Sequence, residues 1–322
     1  MKVVLYPFGA DEPTLQLVRD FPQLQWALAA SPGDIVHEIG DASILVTSNR
    51  VCSPAYGEAL RRYARRSLGW IHFTSAGIDG GLAMGLPDWV TVTNSTGVKA
   101  AMVSEHALTL LLALVRRVPD MQANQRARRW RREETNAKLG TLEGATVCII
   151  GLGSIGREVA RKARAFDARV IAVSRAATAG NDVEEVFARE RIGEALALAD
   201  AVVICTSSEA TSFHLIGAVA LAAMKPGAIL VNVARGNIVD GAALVAALTA
   251  GRLAGAALDV TEVEPLPPES PLWDAPNVII SPHIAGGGST GYPQQKALFA
   301  RNLARYVAGE PLVNVCRIPA RA

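Results

Sequence analysis

With 322 residues the chain is long for one hydrophobic core, and two packed lobes are expected. Its 32 basic residues nearly balance 30 acidic ones, and a formal charge of +2 provides no bulk field for nucleic acid or an anionic membrane. Half of the residues are hydrophobic with few aromatics, which favours an α/β class, while four scattered cysteines without CxxC spacing argue against a disulfide framework or a zinc site.

The start, Met1-Lys2-Val3-Val4-Leu5-Tyr6-Pro7, lacks the basic head and long apolar middle of a signal peptide, and polar residues interrupt every apolar run before membrane length. A cytoplasmic protein with no membrane partner is expected. Short apolar runs at Val3–Tyr6, Leu24–Ala27, Ser43–Thr47, Trp70–Phe73 and Val90–Thr93 alternate with helical patterns, as parallel βα units do. A long apolar helix over Val103–Val115, between Gly97 and Pro119, reads as a stiff connection between lobes. The basic stretch from Arg126 to Arg132, with Trp130 inside it, reads as a solvated helix face or a subunit contact. From Thr146 a second βα series predicts strands at 146–150, 169–173, 201–205, 228–233, 255–260 and 277–281. Six strands in one sheet suit a doubly wound nucleotide-binding domain. After Gly286-Gly287-Gly288 a helical segment is expected over Gln294–Val307.

Gly151-Leu152-Gly153-Ser154-Ile155-Gly156 follows the predicted strand 146–150 and opens a predicted helix over Ser154–Phe166. In that context the GxGxxG string marks a dinucleotide site. Its glycines allow a tight turn, close approach of backbone to pyrophosphate and close helix packing, and the N–H groups at Ser154 and Ile155 face the phosphates. About twenty residues on, an enzyme that uses the non-phosphorylated cofactor places an acid for the ribose 2′-hydroxyl. Here the second strand ends in Ser174-Arg175. A hydroxyl and a guanidinium suit a 2′-phosphate, so NADP(H) is expected over NAD(H), with NAD(H) still usable.

Three polar residues stand at or just after the ends of the last three predicted strands, where ligands sit in open α/β sheets. Arg235 lies in Val231-Asn232-Val233-Ala234-Arg235-Gly236, Glu264 in Glu264-Pro265-Leu266-Pro267, and His283 in Pro282-His283-Ile284-Ala285-Gly286. These strings, in this order after the glycine turn, resemble the D-specific 2-hydroxyacid dehydrogenases, and the match extends over most of the chain.

The resemblance implies that Arg235, Glu264 and His283 are the catalytic set. Reducing a 2-oxoacid places a hydride on C2 and negative charge on its oxygen, so a proton donor must stand in hydrogen-bond reach. His283 is the expected donor, and Glu264 orients the ring and favours its charged form. Arg235 is expected to hold the substrate carboxylate and polarise the carbonyl. The resemblance also implies a carboxylate anchor in the loop Thr74-Ser75-Ala76-Gly77-Ile78-Asp79, through the N–H groups of Ala76 and Gly77, and a contact of Asp259 with the nicotinamide amide.

The chain departs from the family pattern at Cys205-Thr206-Ser207-Ser208-Glu209, where many members carry a proline-containing loop beside the cofactor. The missing acid after the second strand resembles the NADPH-preferring glyoxylate and hydroxypyruvate reductase branches, and small 2-oxoacids become the leading substrates. The implied architecture is a Rossmann domain, residues 96–286, inserted into a flavodoxin-like substrate domain of residues 1–95 plus 287–322. The active cleft is expected between them, and a homodimer through the cofactor domain is implied. Two other functions are compatible with the chain: an NAD-dependent relative acting on phosphoglycerate or phosphite, and a non-enzymatic dinucleotide-sensing corepressor or scaffold. The Ser174-Arg175 tip argues against the first, and the intact catalytic set against the second.

Overall fold

The computed structural model describes residues 1–6, 12–175, 182–207, 210–287 and 291–318. The chain divides into two compact units, Met1–Lys99 with Gly288–Ala322, and Ala100–Gly287.

In the first unit, β1 (Lys2–Leu5), β2 (Gln25–Leu28), β3 (Ile44–Thr47), β4 (Trp70–Phe73) and β5 (Thr91–Asn94) alternate with α1 (Glu12–Asp20), α2 (Pro32–Glu38), α3 (Pro54–Tyr63) and α4 (Asp79–Met84). The strands form one parallel sheet in the order β2-β1-β3-β4-β5. Local chemistry sets several starts. Ser31 caps α2 in a reciprocal box with Asp34, and Ser53 caps α3 ahead of Pro54, whose missing N–H costs nothing in a first helical turn.

The second unit opens with α5 (Ala100–Val115), α6 (Val118–Arg126) and α7 (Arg132–Asn136). It continues through β6 (Thr146–Ile150), α8 (Ser154–Arg164), β7 (Arg169–Val173), β8 (Glu185–Phe187), α9 (Ile192–Leu198), β9 (Ala201–Ile204) and α10 (Ala218–Ala223). β10 (Ala228–Asn232), α11 (Gly241–Thr249), β11 (Leu253–Leu258) and β12 (Val278–Ile280) complete it. The sheet is parallel, with order β12-β11-β10-β9-β6-β7-β8, the reversal at β6/β9 making it doubly wound. The last helix, α12 (Gly291–Val307), belongs to the first unit.

Both sheets are covered on two faces, which is why their strands read as continuous apolar runs. In β1, Val3 and Leu5 enter a cluster with Trp70, Phe299 and Leu303, while Val4 enters the opposite cluster with Ile35, Tyr56 and Leu60. The C-terminal helix thus fills one face of a sheet made by the N-terminal strands. In the second unit Val147 and Ile149 pack with α5 and α8, and Cys148 and Ile150 pack with residues of α9, α10 and α11.

Three expectations change. The sheet of the second unit has seven described strands, since β8 is only three residues long and opens on exposed Glu185, too short to show a pattern. The long apolar helix, expected as a connection between lobes, is built into the second unit, with Ala107 and Leu111 of α5 fully buried in the core shared with α8. The arginine-rich stretch is not a continuous helix face. The helix ends at Arg126, Arg128 takes left-handed geometry at φ 54, and Trp130 is 94 % exposed in the break before α7.

Candidate active site

The strand β6 delivers the chain into the glycine turn, and the three glycines differ in what demands them. Gly151 has φ 98, and a Cβ on it would lie 2.6 Å from the Thr206 Cα. A Cβ on Gly156 would lie 2.1 Å from the Gly151 carbonyl oxygen. These two are required by the protein itself. Gly153 is extended, at φ −81 and ψ −160, and a Cβ there would meet nothing within 4 Å. The open space beside Gly153 is what a pyrophosphate lying on the turn needs. Gly153 is also the N-cap of α8 and makes no side-chain cap, and no acidic residue stands in the first turn, so the start of the helix suits an anion. The residues therefore fit a dinucleotide. Substituting Gly153 by Ala is expected to leave the melting transition near its original position while weakening dinucleotide binding about tenfold or more; Gly156→Ala should instead destabilise the fold. Thermal unfolding alongside fluorescence titration with the reduced cofactor separates the two effects.

At the end of β7 the Ser174 N–H donates to Phe187 O at 3.0 Å, so the neighbouring strand β8 fixes the direction in which the tip leaves the sheet. Ser174 is half-buried and Arg175 exposed. In the loop after β9, Cys205 N–H donates to Ile150 O at 2.8 Å, which holds Thr206 against the glycine turn. Ser208 and Glu209 lie outside the described residues, as does Gly288 of the glycine cluster.

The strand-end trio follows three adjacent strands, with Val231, Ala257 and Ile279 aligned across β10, β11 and β12. Beyond β10, the fully buried Asn232 shapes the turn: its Nδ2 donates to Arg235 O at 2.9 Å and its Oδ1 accepts from Ala234 N at 3.0 Å. The half-buried Arg235 then donates from Nη1 to Ala234 O at 2.7 Å. The following glycine is obligatory, because a Cβ on Gly236 would fall 1.9 Å from the Thr261 carbonyl carbon. That contact seats the Arg235 turn against the loop carrying Glu264. In this loop Thr261 N–H donates to Glu264 Oε1 at 3.1 Å, and the other oxygen, Oε2, accepts from His283 Nδ1 at 2.7 Å. The two side chains are 52 % and 36 % exposed, so solvent screens the pair and it contributes little to stability. Its effect is on geometry: with Nδ1 bonded to a carboxylate, Nε2 is the nitrogen available to a substrate.

His283 adopts φ 55, a left-handed conformation uncommon outside glycine. Asp259 accounts for it. Its backbone carbonyl accepts from His283 N at 2.8 Å, and its carboxylate, 1 % exposed, accepts from Ile284 N and Ala285 N, each at 2.9 Å. Ser281 Oγ donates to the same carboxylate at 2.6 Å, and His106 of α5 reaches Ser281 Oγ with Nε2 at 2.9 Å. Sequence reasoning missed His106 and Ser281, since 175 residues separate them and no spacing rule connects them.

In the first unit the loop after β4 carries Ala76 and Gly77. Asn94 Nδ2 donates to Ala76 O at 2.6 Å, and Ser75 Oγ donates to Gly77 O at 2.8 Å. Asn49 Oδ1 accepts from Gly80 N and Gly81 N at 2.8 and 3.3 Å, tying the first turn of α4, which follows the loop, to the segment after β3. Both carbonyls are thus taken, whereas no acceptor among the described residues holds the Ala76 or Gly77 N–H.

Other reactive groups are silenced by burial. Cys52 is pushed up to about 11 and Cys148 and Cys205 up to about 12, so none supplies a thiolate nucleophile at neutral pH. Burial pushes His72 down to about 3; it is neutral and bonded to Thr93 in the first unit's core. Among the described residues no cluster of metal-ligating side chains occurs, and no helix is long and apolar enough to cross a membrane.

Residues 108–285 match the family described as "D-isomer specific 2-hydroxyacid dehydrogenase, NAD binding domain". A glyoxylate reductase of Thermococcus gammatolerans is 39 % identical over 228 residues, 69 % of this chain and 67 % of the relative. A crystal structure of a D-isomer specific 2-hydroxyacid dehydrogenase family protein from Aeromonas salmonicida superposes with TM-score 0.86 at 32 % identity, covering 99 % of each chain. A family member from Xanthobacter autotrophicus, solved in complex with NADPH and MES, superposes with TM-score 0.82 at 29 % identity, covering 98 % of this chain and 97 % of that one. The chain belongs to the D-isomer specific 2-hydroxyacid dehydrogenase family and is an NAD(P)-dependent oxidoreductase.

Proposed function

We propose that the chain reduces a small 2-oxoacid, glyoxylate or hydroxypyruvate foremost, to the D-2-hydroxyacid with NADPH in preference to NADH. The observation that carries the reading is the 2.7 Å contact of His283 with Glu264, set beside the turn of Arg235 at the C-terminal edge of the sheet. A bound reduced nicotinamide supplies the hydride that adds to C2 of the substrate. His283 Nε2 gives its proton to the oxygen at C2, and Glu264 stabilises the imidazolium before the transfer and orients the ring. Arg235 places its planar donors on the substrate carboxylate and carbonyl, opposing the charge that grows on that oxygen. In the oxidative direction His283 takes the proton back.

The unit Ala100–Gly287 holds the dinucleotide in this reading, through Gly151, Gly153, Ser154, Ile155 and Gly156; Asp259, expected at the nicotinamide amide, has its carboxylate, 1 % exposed, engaged by Ser281 Oγ, Ile284 N and Ala285 N. In the first unit, the N–H groups of Ala76 and Gly77 are available as donors to a carboxylate. The preference for NADPH rests on Ser174-Arg175, since a hydroxyl and an exposed guanidinium complement a 2′-phosphate and no carboxylate at the tip repels it. The NADPH in the Xanthobacter relative supports this cofactor. Arg175→Ala should raise the Kd for NADPH roughly tenfold or more and that for NADH less than about twofold. Equal weakening removes the assignment.

The decisive assay follows loss of reduced-nicotinamide absorbance with NADPH or NADH across a panel of 2-oxoacids, with 3-phosphohydroxypyruvate included. Turnover of glyoxylate or hydroxypyruvate with a higher kcat/KM for NADPH supports the reading; turnover of the phosphorylated acid alone, or of none, overturns it. We further propose a homodimer through the second unit, where fully presented Trp130 stands among Arg128, Arg129, Arg131 and Arg132 around an open cavity of about 590 Å³. Trp130→Glu should then convert a dimer to a monomer in sedimentation velocity.

A further inference from the structure

We propose that His106 is a positioning residue for the proton donor, acting through Ser281 and the Asp259 carboxylate to hold the turn that carries His283. The proposal rests on the role of His283 given above. Its basis is a hydrogen-bond chain with only one consistent direction. Asp259 Oδ1, which already accepts from Ile284 N, also accepts from the Ser281 hydroxyl 2.6 Å away. The hydroxyl oxygen is then left to accept, and His106 Nε2 at 2.9 Å must be the donor. This sets the tautomer of His106. Its Nε2 also lies 3.3 Å from Asp259 Oδ1, so the imidazole meets the hydroxyl and carboxylate together.

What the chain holds is the turn from Ser281 to Ala285. Asp259 N–H is bonded to Asn232 O at 2.9 Å, and every other polar group of Asp259 grips this turn. The carbonyl takes His283 N, Oδ1 takes Ser281 Oγ and Ile284 N, and Oδ2 takes Ala285 N. The left-handed backbone of His283 persists only if its surroundings over-determine it, and these bonds are the surroundings. The ring of His283 is itself half-exposed, so it is held by its backbone and by Glu264 rather than by packing. His106 is a polar residue on a helix whose adjacent Ala107 and nearby Leu108, Leu110 and Leu111 are buried in the core. An apolar residue would satisfy that helix; the contact across 175 residues is what a histidine adds. Without its N–H, Ser281 is free to turn from Asp259, and the carboxylate loses its constraint on the turn.

The test uses the full chain with substitutions His106→Phe, His106→Gln, Ser281→Ala and the double change His106→Phe/Ser281→Ala. In His106→Phe, kcat should fall about tenfold to a hundredfold, as loss of alignment of a reacting group does, with the Kd for reduced cofactor within about twofold. The solvent deuterium isotope effect on kcat should rise, because proton transfer becomes slower relative to the other steps. His106→Gln keeps an N–H donor near the Nε2 position and should recover most of the activity. The double variant should be no worse than Ser281→Ala, the sign that the two act as one unit. Amide exchange at Ile284 and Ala285, read by mass spectrometry, should accelerate in His106→Phe and Ser281→Ala alike. Equal losses in the Phe and Gln variants, additive losses in the double variant, or unchanged exchange overturn the proposal. Should His106→Phe fail to fold, Ser281→Ala breaks the same chain from its other end and is read in the same way. Exchange at the turn does not depend on the chemistry of His283. Normal turnover in His283→Gln therefore defeats the proton-donor reading, whereas unchanged exchange in the His106 and Ser281 variants defeats this one.

Discussion

Replacing His283 by glutamine is expected to cut kcat for 2-oxoacid reduction by about a hundredfold or more, the usual contribution of a positioned general acid, while the reduced cofactor still binds. Glutamine fills much of the same space and can hydrogen-bond to Glu264, but it cannot deliver a proton. Glutamine is less suited than histidine to φ 55, but the bonds from Asp259 go to the backbone N–H groups of residues 283, 284 and 285, which the substitution keeps, so the turn should hold and the loss can be assigned to chemistry. Glu264→Gln should produce a smaller loss, because it removes the negative charge beside the ring while leaving an acceptor for Nδ1 at the 2.7 Å contact. Stopped-flow single turnovers together with a cofactor titration make the measurement. Near-normal turnover in His283→Gln would remove it as the donor.

The second large effect is expected at Arg235. Arg235→Gln should lower kcat/KM by about a hundredfold to a thousandfold, comparable to removing a donor that faces a developing oxyanion. Arg235→Lys should recover only part of it, since an ammonium restores charge but not the planar fork that addresses two oxygens at once. The buried Asn232 bonds to the backbone of Ala234 and Arg235, not to the guanidinium, so the turn should survive either change. Gly236 is different. Any side chain there meets the Thr261 backbone, and Gly236→Ala should disturb both the Arg235 turn and the Glu264 loop. A kcat/KM within threefold of the parent in Arg235→Gln would exclude a direct role.

Much of this fold was legible in the chain because both sheets are parallel and covered on two faces. Strands so placed are continuous apolar runs, and β4, β6 and β7 lie where their patterns end. The exceptions were elements with little burial to imprint a pattern: β8 at the sheet edge, and the segment around Trp130, where a run of arginines read as helical although Arg128 breaks it. The candidate site divides in the same way. Arg235, Glu264 and His283 each lie within a string of neighbours that has its own physical cause, such as Gly236 needing no side chain, and local causes leave local traces.

The order of residues by itself determined the class of fold, the dinucleotide turn and the three strand-end groups, because those depend on periodicity, glycine geometry and short-range turns. Tertiary structure alone decided which glycine of the turn has open space beside it rather than a protein neighbour, how β8 directs the Ser174-Arg175 tip, and how His106 and Ser281 meet at Asp259. These are properties of strands and helices brought together from distant parts of the chain. Hydrogen bonds that close such distances act on atoms a few ångströms apart in space, and nothing in the spacing of the residues along the chain records them.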